Sequence, residues 1–541
     1  MSQGERRYPD LQEHLAALDR AGLLVTIDRP IDKDAELHPL VRWQFVGGLD
    51  EADRKAFLFT HVVDGKGRRF DMPVVVGAIA ANRAIYAIGM GTDVEEIPAK
   101  WDRAIAAPIA PRIVNRGVCQ EVVIEGDALV GPGKGLDALP IPISTPGFDS
   151  APTLTATNVV TRDPETGVQN MGTYRAALKA PDRLVVRMAT RIGGAGGYQH
   201  YLKHRKRGDK EMPCAIVLGC PPFVAFTGPQ KLPLDVDEVG VAGGLAGGPI
   251  DMVRAHSVDL LVPAESELVI EGMIDTEWLE PEAPFGESHG HVALEEFNMP
   301  MRVTAITHRR KPVIPSYLSQ VAPSESSVIK RVAYEPLFLS FLKDQLGIKG
   351  VVRVALHEPL TGLLRATIIQ VAKAMPRTEI WRALTGAASF KGDCGKITIA
   401  VNEDIDPDNA DALLWALCYR MNPVEDVRTL PHRGQGHGPK REHDNEEDST
   451  LLIDATMKGD MPPLALPKRE YMERARKVWE ELGLPALRPQ PPWFGYSLGD
   501  WLPQWDDAAA RAVAGDYLEN GRISGARRRT GLPPETKFRP E

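Results

Sequence analysis

The chain has 541 residues, 43% of them hydrophobic, and a formal net charge of -9 at pH 7. This length exceeds what one hydrophobic core supports, so the sequence predicts a globular protein of two or three domains. The acidic balance, with no long run of Lys or Arg, lacks the electrostatic footprint of a protein that binds nucleic acid or an anionic membrane, and it argues against both partners.

Hydropathy and cysteine usage bear on the cellular location. No apolar run reaches the roughly 18 residues needed to span a bilayer, and the N-terminal segment MSQGERR lacks the apolar core of a signal peptide. A cytoplasmic location is therefore expected. The cysteines are odd in number and form no C-x-x-C pair, which argues against a disulfide framework or a structural zinc site and favours buried free thiols. They are Cys119, Cys214, Cys220, Cys394 and Cys418.

Residues 1–115 alternate between helical and strand patterns. Asp10 can cap a helix that carries Leu11, Leu15 and Leu18 on one face, and a strand pattern follows at 23–27. A helix over 34–45 and a strand over 73–77 continue the alternation. The sequence predicts an N-terminal α/β domain here.

From 116 to 322 the pattern changes to short runs of alternating hydrophobicity joined by Gly and Pro. Many short strands of this kind are typical of a barrel or sandwich. Two Gly-rich segments, 193–197 and 243–249, are predicted to be loops through which backbone could approach a phosphate, although neither has dinucleotide-binding or P-loop spacing. The predicted strands are 121–125, 155–160, 184–188, 215–218, 260–262, 266–272 and 301–307.

Within this part, the segment 282–287 (EAPFGE) places two carboxylates on either side of an Ala-Pro-Phe-Gly sequence. Pro284 and Gly286 argue against a helix and favour a tight bend between the strands on either side. Such a bend can bring Glu282 and Glu287 together on a rigid support, as an active site requires. The alternative is a solvated acidic end of a hairpin.

Residues 323–484 return to an α/β pattern. Helices are predicted at 334–342, 408–420 and 471–482, a strand at 397–401, and an exposed polar loop at 433–449. The tail, 485–541, begins with a Pro-rich link and carries Trp493, Trp501 and Trp505. These tryptophans predict that the tail docks on a partner or on the body of the protein.

The segments 169–175 (QNMGTYR) and 282–287 together resemble those of the UbiD family of prenylated-FMN decarboxylases. The resemblance extends to 10–27, 265–272, 400–407, 414–417 and 451–456, so that it covers about residues 10–480. The tail beyond 485 lies outside it.

The resemblance implies three domains: an N-terminal α/β domain, a central flavin-reductase-like split β-barrel that holds the cofactor, and a C-terminal α/β domain used in oligomerisation. It also implies reversible non-oxidative decarboxylation of an α,β-unsaturated or (hetero)aromatic acid with prenylated FMN. Loss of CO2 from an sp2 carbon leaves a carbanion with no stabilising group, so an electrophilic cofactor must accept the electron pair. The protein orients the acid and supplies a proton.

Catalytic roles follow from the same resemblance. Arg175 is expected to hold the substrate carboxylate or to pair with a glutamate, because its planar fork matches carboxylates. Glu287 is expected to donate the proton that replaces CO2, with Glu282 as its partner. Two neighbouring carboxylates favour retention of one proton near neutral pH.

The resemblance also implies cofactor contacts and metal ligands. The expected cofactor contacts are Asn170, Thr173, Tyr174, Arg175, Arg187, Met188, Ala189, Gly193 and, at the phosphate, Lys396, which could equally be an ordinary strand-edge lysine. Asn170, His200 and Asp251 are the expected ligands of Mn2+ or Mg2+, with K+ as a further candidate cation. The family has a glutamate where this chain has Asp251, but the shorter carboxylate can still bind a hard ion. His200 is equally compatible with a surface histidine.

Partners and alternative functions complete the expectations. The resemblance implies a small aromatic or unsaturated acid as substrate, a flavin prenyltransferase as cofactor supplier, and a homo-oligomer, either a dimer or a hexamer. The residues alone also allow a metal-dependent hydrolase built from Asn170, His200, Asp251 and the two glutamates. A non-catalytic flavin-binding or chaperone-like module is a third hypothesis. Visible absorption by bound flavin separates a flavoenzyme from the hydrolase.

Overall fold

The structure is a computed structural model of the chain. It describes residues 6–188, 195–230, 232, 237–282, 284–287, 290–293, 296–358, 364–392, 394–434, 447–459, 466–487 and 503–533. None of the helices in these segments is long and apolar enough to cross a membrane.

The N-terminal part alternates helices and strands, as predicted. Asp10 and Glu13 form a capping box at the start of the first helix, which buries Leu11, Leu15 and Leu18. The second helix begins at 37 rather than at 34. The elements are α1 (Leu11–Arg20), β1 (Leu24–Ile27), β2 (Ile31–Asp32), α2 (Leu37–Val46), β3 (Ala56–Phe59), β4 (Val62–Val63), β5 (Val74–Val76), α3 (Arg83–Met90) and α4 (Ile97–Ala106).

The central part consists mainly of short strands, also as predicted. Its strands are β6 (Arg112–Ile113), β7 (Val122–Glu125), β8 (Thr153–Leu154), β9 (Thr157–Arg162), β10 (Gln169–Gly172), β11 (Ala176–Ala180), β12 (Arg183–Val186), β13 (Glu211–Leu218), β14 (Asp251–Arg254), β15 (Leu261–Pro263), β16 (Leu268–Asp275), β17 (Glu280–Pro281), β18 (Phe285–Gly286), β19 (Val292–Ala293), β20 (Phe297–His308) and β21 (Ile314–Ser316). Its helices are α5 (Gly196–Arg207), α6 (Pro222–Thr227) and α7 (Glu238–Ala246).

One antiparallel sheet organises this central part. Its strand order is β10-β9-β13-β16-β20-β12-β11-β8, and β7 and β17 also pair with the long strand β20. The predicted site segments therefore come together through this sheet: β10 and β11 flank 173–175, while β17 leads into the acidic segment. A single apolar core joins this sheet to the N-terminal helices, because Leu11 of α1 and Leu184 and Ile216 of the barrel belong to one buried cluster.

The predicted Gly-rich loop at 243–249 is partly helical, which corrects that expectation. Helix α7 includes Gly243 and Gly244 and ends before Gly247, whose φ is +69°. A Cβ on Gly243 would lie 2.5 Å from the carbonyl oxygen of Ile109, and one on Gly244 would lie 2.9 Å from backbone atoms of Ala104. These glycines therefore serve close helix packing. In the other Gly-rich segment, 196 and 197 begin α5, and 193 and 194 lie outside the described residues.

The N-terminal sheet is completed from beyond the barrel, since its order is β1-β3-β5-β21. Just after β21, Glu325 is fully buried and accepts N–H groups from Gly77 (3.0 Å), Ile79 (3.1 Å), Ala80 (3.3 Å) and Leu318 (3.4 Å). Burial raises the pKa of Glu325 to about 7. One carboxyl group thus links the N-terminal part to the start of the C-terminal part.

The C-terminal part is an α/β sheet of order β22-β23-β24-β26-β25, in which β23, β24 and β26 are parallel. The loop predicted at 433–449 is shorter than expected, because β25 extends to Gly434 and β26 begins at Glu447. Residues 435–446 lie outside the described residues. The elements are α8 (Glu325–Ser340), β22 (Val351–Leu356), β23 (Ala366–Val371), α9 (Arg377–Ser389), β24 (Ile397–Asn402), α10 (Ala410–Arg420), β25 (Val427–Gly434), β26 (Glu447–Asp454), α11 (Arg469–Glu481), α12 (Pro503–Val513) and α13 (Tyr517–Gly525).

The structure also bears on the predictions made for the cysteines and for the C-terminal tail. Four of the cysteines are buried free thiols, as predicted, but Cys418 on α10 is exposed. In the described part of the tail, α12 and α13 show no buried side chain, and Asp506 of α12 forms an ion pair with Lys468 at 2.5 Å. Trp493 and Trp501 lie outside the described residues.

Candidate active site

The acidic segment forms the first half of a small hairpin next to the barrel. Strand β17 pairs with β20, and the Glu282 N–H donates to the carbonyl of Glu296 at 2.8 Å. Phe285 and Gly286 then pair with β19, and the Glu287 N–H donates to the carbonyl of His291 at 3.0 Å. Phe285 and Gly286 thus form a strand where Pro284 and Gly286 predicted a tight bend, and the turn contact comes later, where the Gly290 N–H donates to the carbonyl of Glu287 at 3.0 Å. We call residues 284–287 and 290–293 the acidic hairpin.

Arg175 lies between the two glutamates. Its Nε donates to Oε1 of Glu282 at 2.5 Å, and its Nη2 donates to Oε2 of the same carboxylate at 3.0 Å. Its Nη1 donates to Glu287. The guanidinium also lies 4.6 Å from the ring centre of Phe285. The structure therefore brings together the three side chains that the sequence singled out, although Arg175 is far from the hairpin in sequence.

The charged side chains of this network are largely buried, so each of them depends on its ion-pair partner for stabilisation. The Glu282 side chain is 1% exposed and that of Arg175 is 9% exposed, whereas Glu287 is 19% exposed. Burial lowers the pKa of Arg175, because desolvation disfavours its charged form. Removing one partner would leave a buried charge uncompensated. Glu287 is the member of the trio that is most open to an incoming molecule.

Three further residues join this network, and sequence reasoning did not place them there. Arg187, expected as a cofactor contact, donates to Glu287 at 3.4 Å and to Glu296 at 2.9 Å. Asn298, 4% exposed, donates to Oε2 of Glu282 at 3.3 Å. Asn298 lies on β20 opposite Glu280 of β17, and this pairing brings it near Glu282. The register of the two strands cannot be predicted from the sequence, so no signal in the sequence pointed to Asn298.

The 170–175 segment forms a cradle of polar groups and glycines. The Nδ2 of Asn170 and the Oγ1 of Thr173 are buried and have no hydrogen-bond partner among the described residues. A Cβ on Gly196 would lie 1.8 Å from Oδ1 of Asn170, and one on Gly228 would lie 2.9 Å from Oγ1 of Thr173. Burial raises the pKa of Tyr174 to about 12, so this phenol stays protonated at neutral pH. Unpaired polar atoms between glycines fit a polar ligand such as the flavin of a prenylated FMN.

A second polar group lies at the other end of β10. Asn170 pairs across the sheet with Thr161, whose Oγ1 lies 2.9 Å from Nδ1 of His200. His200 is therefore a buried neighbour of Asn170 and not a surface histidine, and burial lowers its pKa to about 4. A neutral imidazole is the form that binds a metal ion.

Glu238, which sequence reasoning missed, is the carboxylate next to Asn170. Its Oε2 accepts the N–H of Met171 at 3.3 Å, and Asn170 and Glu238 line one pocket of about 300 Å³. Burial raises the pKa of Glu238 to about 7, and no basic side chain in the described part of the chain offsets that burial. A cation would stabilise this carboxylate. The sequence signal was weak, because an acidic residue at a helix start is usually solvated.

Asp251, the predicted acidic ligand, is engaged elsewhere. Arg112 donates to both carboxylate oxygens of Asp251, from Nε at 2.5 Å and from Nη2 at 2.7 Å. The backbone N–H of Asp251 donates to the hydroxyl of Tyr8 at 2.8 Å. This ion pair occupies the oxygens that a metal would need. The geometry therefore does not support Asp251 as a ligand and favours Glu238.

The remaining predicted contacts divide between inside and outside the site. Met188 contacts the start of α5, since a Cβ on Gly197 would lie 3.1 Å from its sulfur. Lys396 forms an ion pair with Asp448 on the neighbouring strand and is half exposed, which fits the strand-edge interpretation. Ala189 and Gly193 lie outside the described residues.

Family models match the chain over most of its length, as the N-terminal domain (15–105), the Rift-related domain (112–321) and the C-terminal domain (328–455) of 3-octaprenyl-4-hydroxybenzoate carboxy-lyase. The UbiD-class enzyme HmfF from Pelotomaculum thermopropionicum, solved in complex with FMN, is 27% identical with a TM-score of 0.74, covering 84% of this chain and 95% of that one.

Two other solved structures share the fold at lower identity. Vanillic acid decarboxylase from Sedimentibacter hydroxybenzoicus is 24% identical with a TM-score of 0.73, covering 88% of this chain and 99% of that one. The 3,4-dihydroxybenzoic acid decarboxylase from Enterobacter cloacae is 23% identical with a TM-score of 0.71, covering 86% and 99%. Taken with the family models, the mixed α/β fold and its barrel define a carboxy-lyase of the non-oxidative decarboxylase class. The chain belongs to the UbiD family.

Proposed function

We propose that this protein decarboxylates an α,β-unsaturated or (hetero)aromatic acid reversibly, with prenylated FMN as cofactor and Glu287 as proton donor. The observation that carries the proposal is the placement of Arg175 between the buried Glu282 and the more open Glu287. When bound, prenylated FMN would supply the electrophilic sink for the electron pair released with CO2. Everything else is required of the chain itself.

Arg175 is proposed to bind the carboxylate of the acid. Its Nη1 faces Glu287, while its Nε and Nη2 remain fixed by Glu282. A substrate carboxylate would replace Glu287 at Nη1, while Nε and Nη2 stay hydrogen-bonded to Glu282. Glu282 would therefore keep its partner while the substrate binds. The arginine is thus oriented before substrate arrives, which lowers the entropy lost on binding.

Glu287 is proposed to hold and deliver the proton at one of its carboxyl oxygens. An ion pair favours the ionised form of a carboxylate, so Glu287 remains charged while it is paired with Arg175 and Arg187. Once the substrate occupies Arg175, Glu287 loses its main cation and can hold a proton. Departure of CO2 then leaves Glu287 beside the carbon to be protonated.

The cradle and Glu238 are proposed to hold the cofactor and its metal. Asn170, Thr173 and Tyr174 would contact the flavin, and Asn170, Glu238 and His200 would bind Mn2+ or Mg2+. Oxygen ligands favour a hard divalent ion. Within the described segments no three His, Cys, Asp or Glu side chains form a metal site.

The proposal extends to partners. A flavin prenyltransferase would supply the cofactor, and the protein would act as a homo-oligomer. An evolved form of the neighbour HmfF is dimeric and was solved with prenylated FMN.

Product labelling tests the proposed function. The full chain, co-expressed with a flavin prenyltransferase and supplied with Mn2+, is incubated in D2O with benzoic, furoic and cinnamic acid derivatives that include vanillic and 3,4-dihydroxybenzoic acids. We expect at least one acid to release CO2 and to carry a single deuterium at the former carboxyl carbon. Product that is hydrolysed rather than decarboxylated, or no turnover by protein that holds the cofactor, would refute the proposal.

A further inference from the structure

A buried aspartate outside the acidic hairpin holds the backbone next to Glu287. Asp149 is 8% exposed, and its Oδ1 accepts the N–H of Gly286 at 2.9 Å. Its Oδ2 accepts the N–H of Thr145 at 2.8 Å. The two oxygens of one carboxylate therefore connect the hairpin to the turn formed by residues 144–149.

The hairpin and this turn are in tight contact. A Cβ on Gly286 would lie 2.1 Å from Oγ1 of Thr145, so only glycine fits at this position. The turn is fixed in its own right, because the N–H groups of Phe148 and Asp149 donate to the carbonyl of Thr145 at 3.1 Å. The Nε2 of Gln320 also donates to the carbonyl of Ser144 at 2.6 Å. Asp149 thus fixes the position of the hairpin relative to this rigid turn.

This contact matters because the hairpin has few other attachments. Its two short strands, β18 and β19, form two residue pairs with each other and belong to no larger sheet in the described structure. Its side-chain contacts to the barrel include Arg175, which pairs with Glu287 and stacks on Phe285, and Arg187, which donates to Glu287 at 3.4 Å. If a substrate carboxylate takes the Nη1 contact of Arg175, the pairing of Arg175 with Glu287 is lost. The hydrogen bond from Gly286 to Asp149 uses backbone and does not depend on that pairing.

We propose that Asp149 is a positioning residue that keeps Glu287 in place for proton delivery after substrate has displaced Glu287 from Arg175. The inference rests on the proposed function of Glu287. Because Gly286 and Glu287 are adjacent in the chain, a shift of the Gly286 amide moves the carboxyl group of Glu287 as well. Misplacement of a catalytic group by about 1 Å is enough to slow a reaction by about 100-fold.

The substitution Asp149→Asn isolates this role with little change of volume. An amide has one acceptor oxygen, so it can serve Gly286 or Thr145 but not both, and its NH2 group then faces a backbone N–H. A matched control is Asp64→Asn. Asp64 also closes a turn by accepting two backbone N–H groups, from Lys66 (3.0 Å) and Arg68 (2.9 Å), in the N-terminal part away from the site.

Hydrogen–deuterium exchange of the peptide 284–293 tests the positioning directly, in the full chain with and without prenylated FMN. We expect at least 10-fold faster exchange in Asp149→Asn and an unchanged rate in Asp64→Asn. With an acid that the wild type turns over, kcat should fall by about 10- to 100-fold, the range expected for a misplaced catalytic group. KM and flavin content should stay within threefold, and the solvent deuterium isotope effect on kcat should rise, because proton delivery becomes slower.

The outcomes separate this inference from the proposed function. An exchange rate equal to that of wild type, or faster exchange with unchanged kcat and isotope effect, would overturn the positioning role. A kcat loss that simply matches lost flavin would also overturn it, since that pattern indicates a structural defect. If the loaded wild type decarboxylates no acid, the proposed function fails, and the exchange rate still decides whether Asp149 holds the hairpin.

Discussion

Replacing Arg175 with lysine perturbs the centre of the site while keeping its charge. The guanidinium makes three contacts in two directions: two to Glu282, at 2.5 and 3.0 Å, and one to Glu287. A lysine ammonium ends in a single nitrogen and cannot face both carboxylates as a planar fork does. Glu282, only 1% exposed, then loses at least one charge-assisted hydrogen bond.

The size of the effect follows from these contacts. One lost hydrogen bond to a charged group is worth about 1.5–3 kcal/mol, and loss of the stacking of Arg175 on Phe285 adds about 0.5–1 kcal/mol. The sum, about 2–4 kcal/mol, corresponds to a fall in kcat/KM of about 30- to 1000-fold.

Steady-state decarboxylation by protein loaded with prenylated FMN measures this fall. The matched control is Arg302→Lys, because Arg302 lies on β20 and pairs with Glu211 at 2.9 Å, but its side chain is 58% exposed. Exposed pairs contribute little, so the control should retain wild-type kcat/KM. If Arg175→Lys kept kcat/KM within threefold of wild type at full cofactor occupancy, the proposed role of the fork would be wrong.

Two further predictions concern the metal and the domain junction. Elemental analysis should show that Glu238→Gln loses bound Mn2+, whereas Asp251→Asn retains it, because Arg112 already engages Asp251. The reverse pattern would identify Asp251 as the ligand. Since burial raises the pKa of Glu325 from 4.5 to about 7, the native state binds the proton more tightly than the unfolded state. Its stabilising effect is complete below pH 4.5 and is lost as pH rises to 7. The wild type should therefore lose up to about 3 kcal/mol relative to Glu325→Gln over this window in urea unfolding, and parallel pH profiles would contradict this.

Local patterns predicted much of the fold. Helix α1 was readable because its cap and its apolar face lie within eleven residues of one another, from Asp10 to Arg20. The barrel strands were readable from alternation. The helical state of Gly243 and Gly244 was not, because glycine disfavours helices and only the contacts with Ala104 and Ile109 explain it. Tertiary packing outweighed local propensity there.

The candidate site was predicted in part, for a similar reason. Glu282, Glu287 and Arg175 could be singled out because they lie in short recognisable segments. Glu238, Asn298 and Asp149 could not, because each acts through a neighbour that sheet register or loop packing brings close. Asp251 was predicted as the acidic ligand because its segment resembles the one in which the family has a glutamate, while the partner that engages it, Arg112, is distant in sequence. Long-range pairing is the information that the sequence pattern lacks.

Proton delivery by Glu287 is the central claim, and isotope exchange into the product tests it most directly. In the reverse direction the enzyme should exchange the product C–H at the former carboxyl position with D2O, through the same carboxyl group. Glu287→Gln keeps the volume and removes the transferable proton. We predict that, at wild-type content of prenylated FMN, this variant slows both decarboxylation and exchange by about 10²–10⁴-fold. Exchange and decarboxylation at near wild-type rates in that variant would contradict the account.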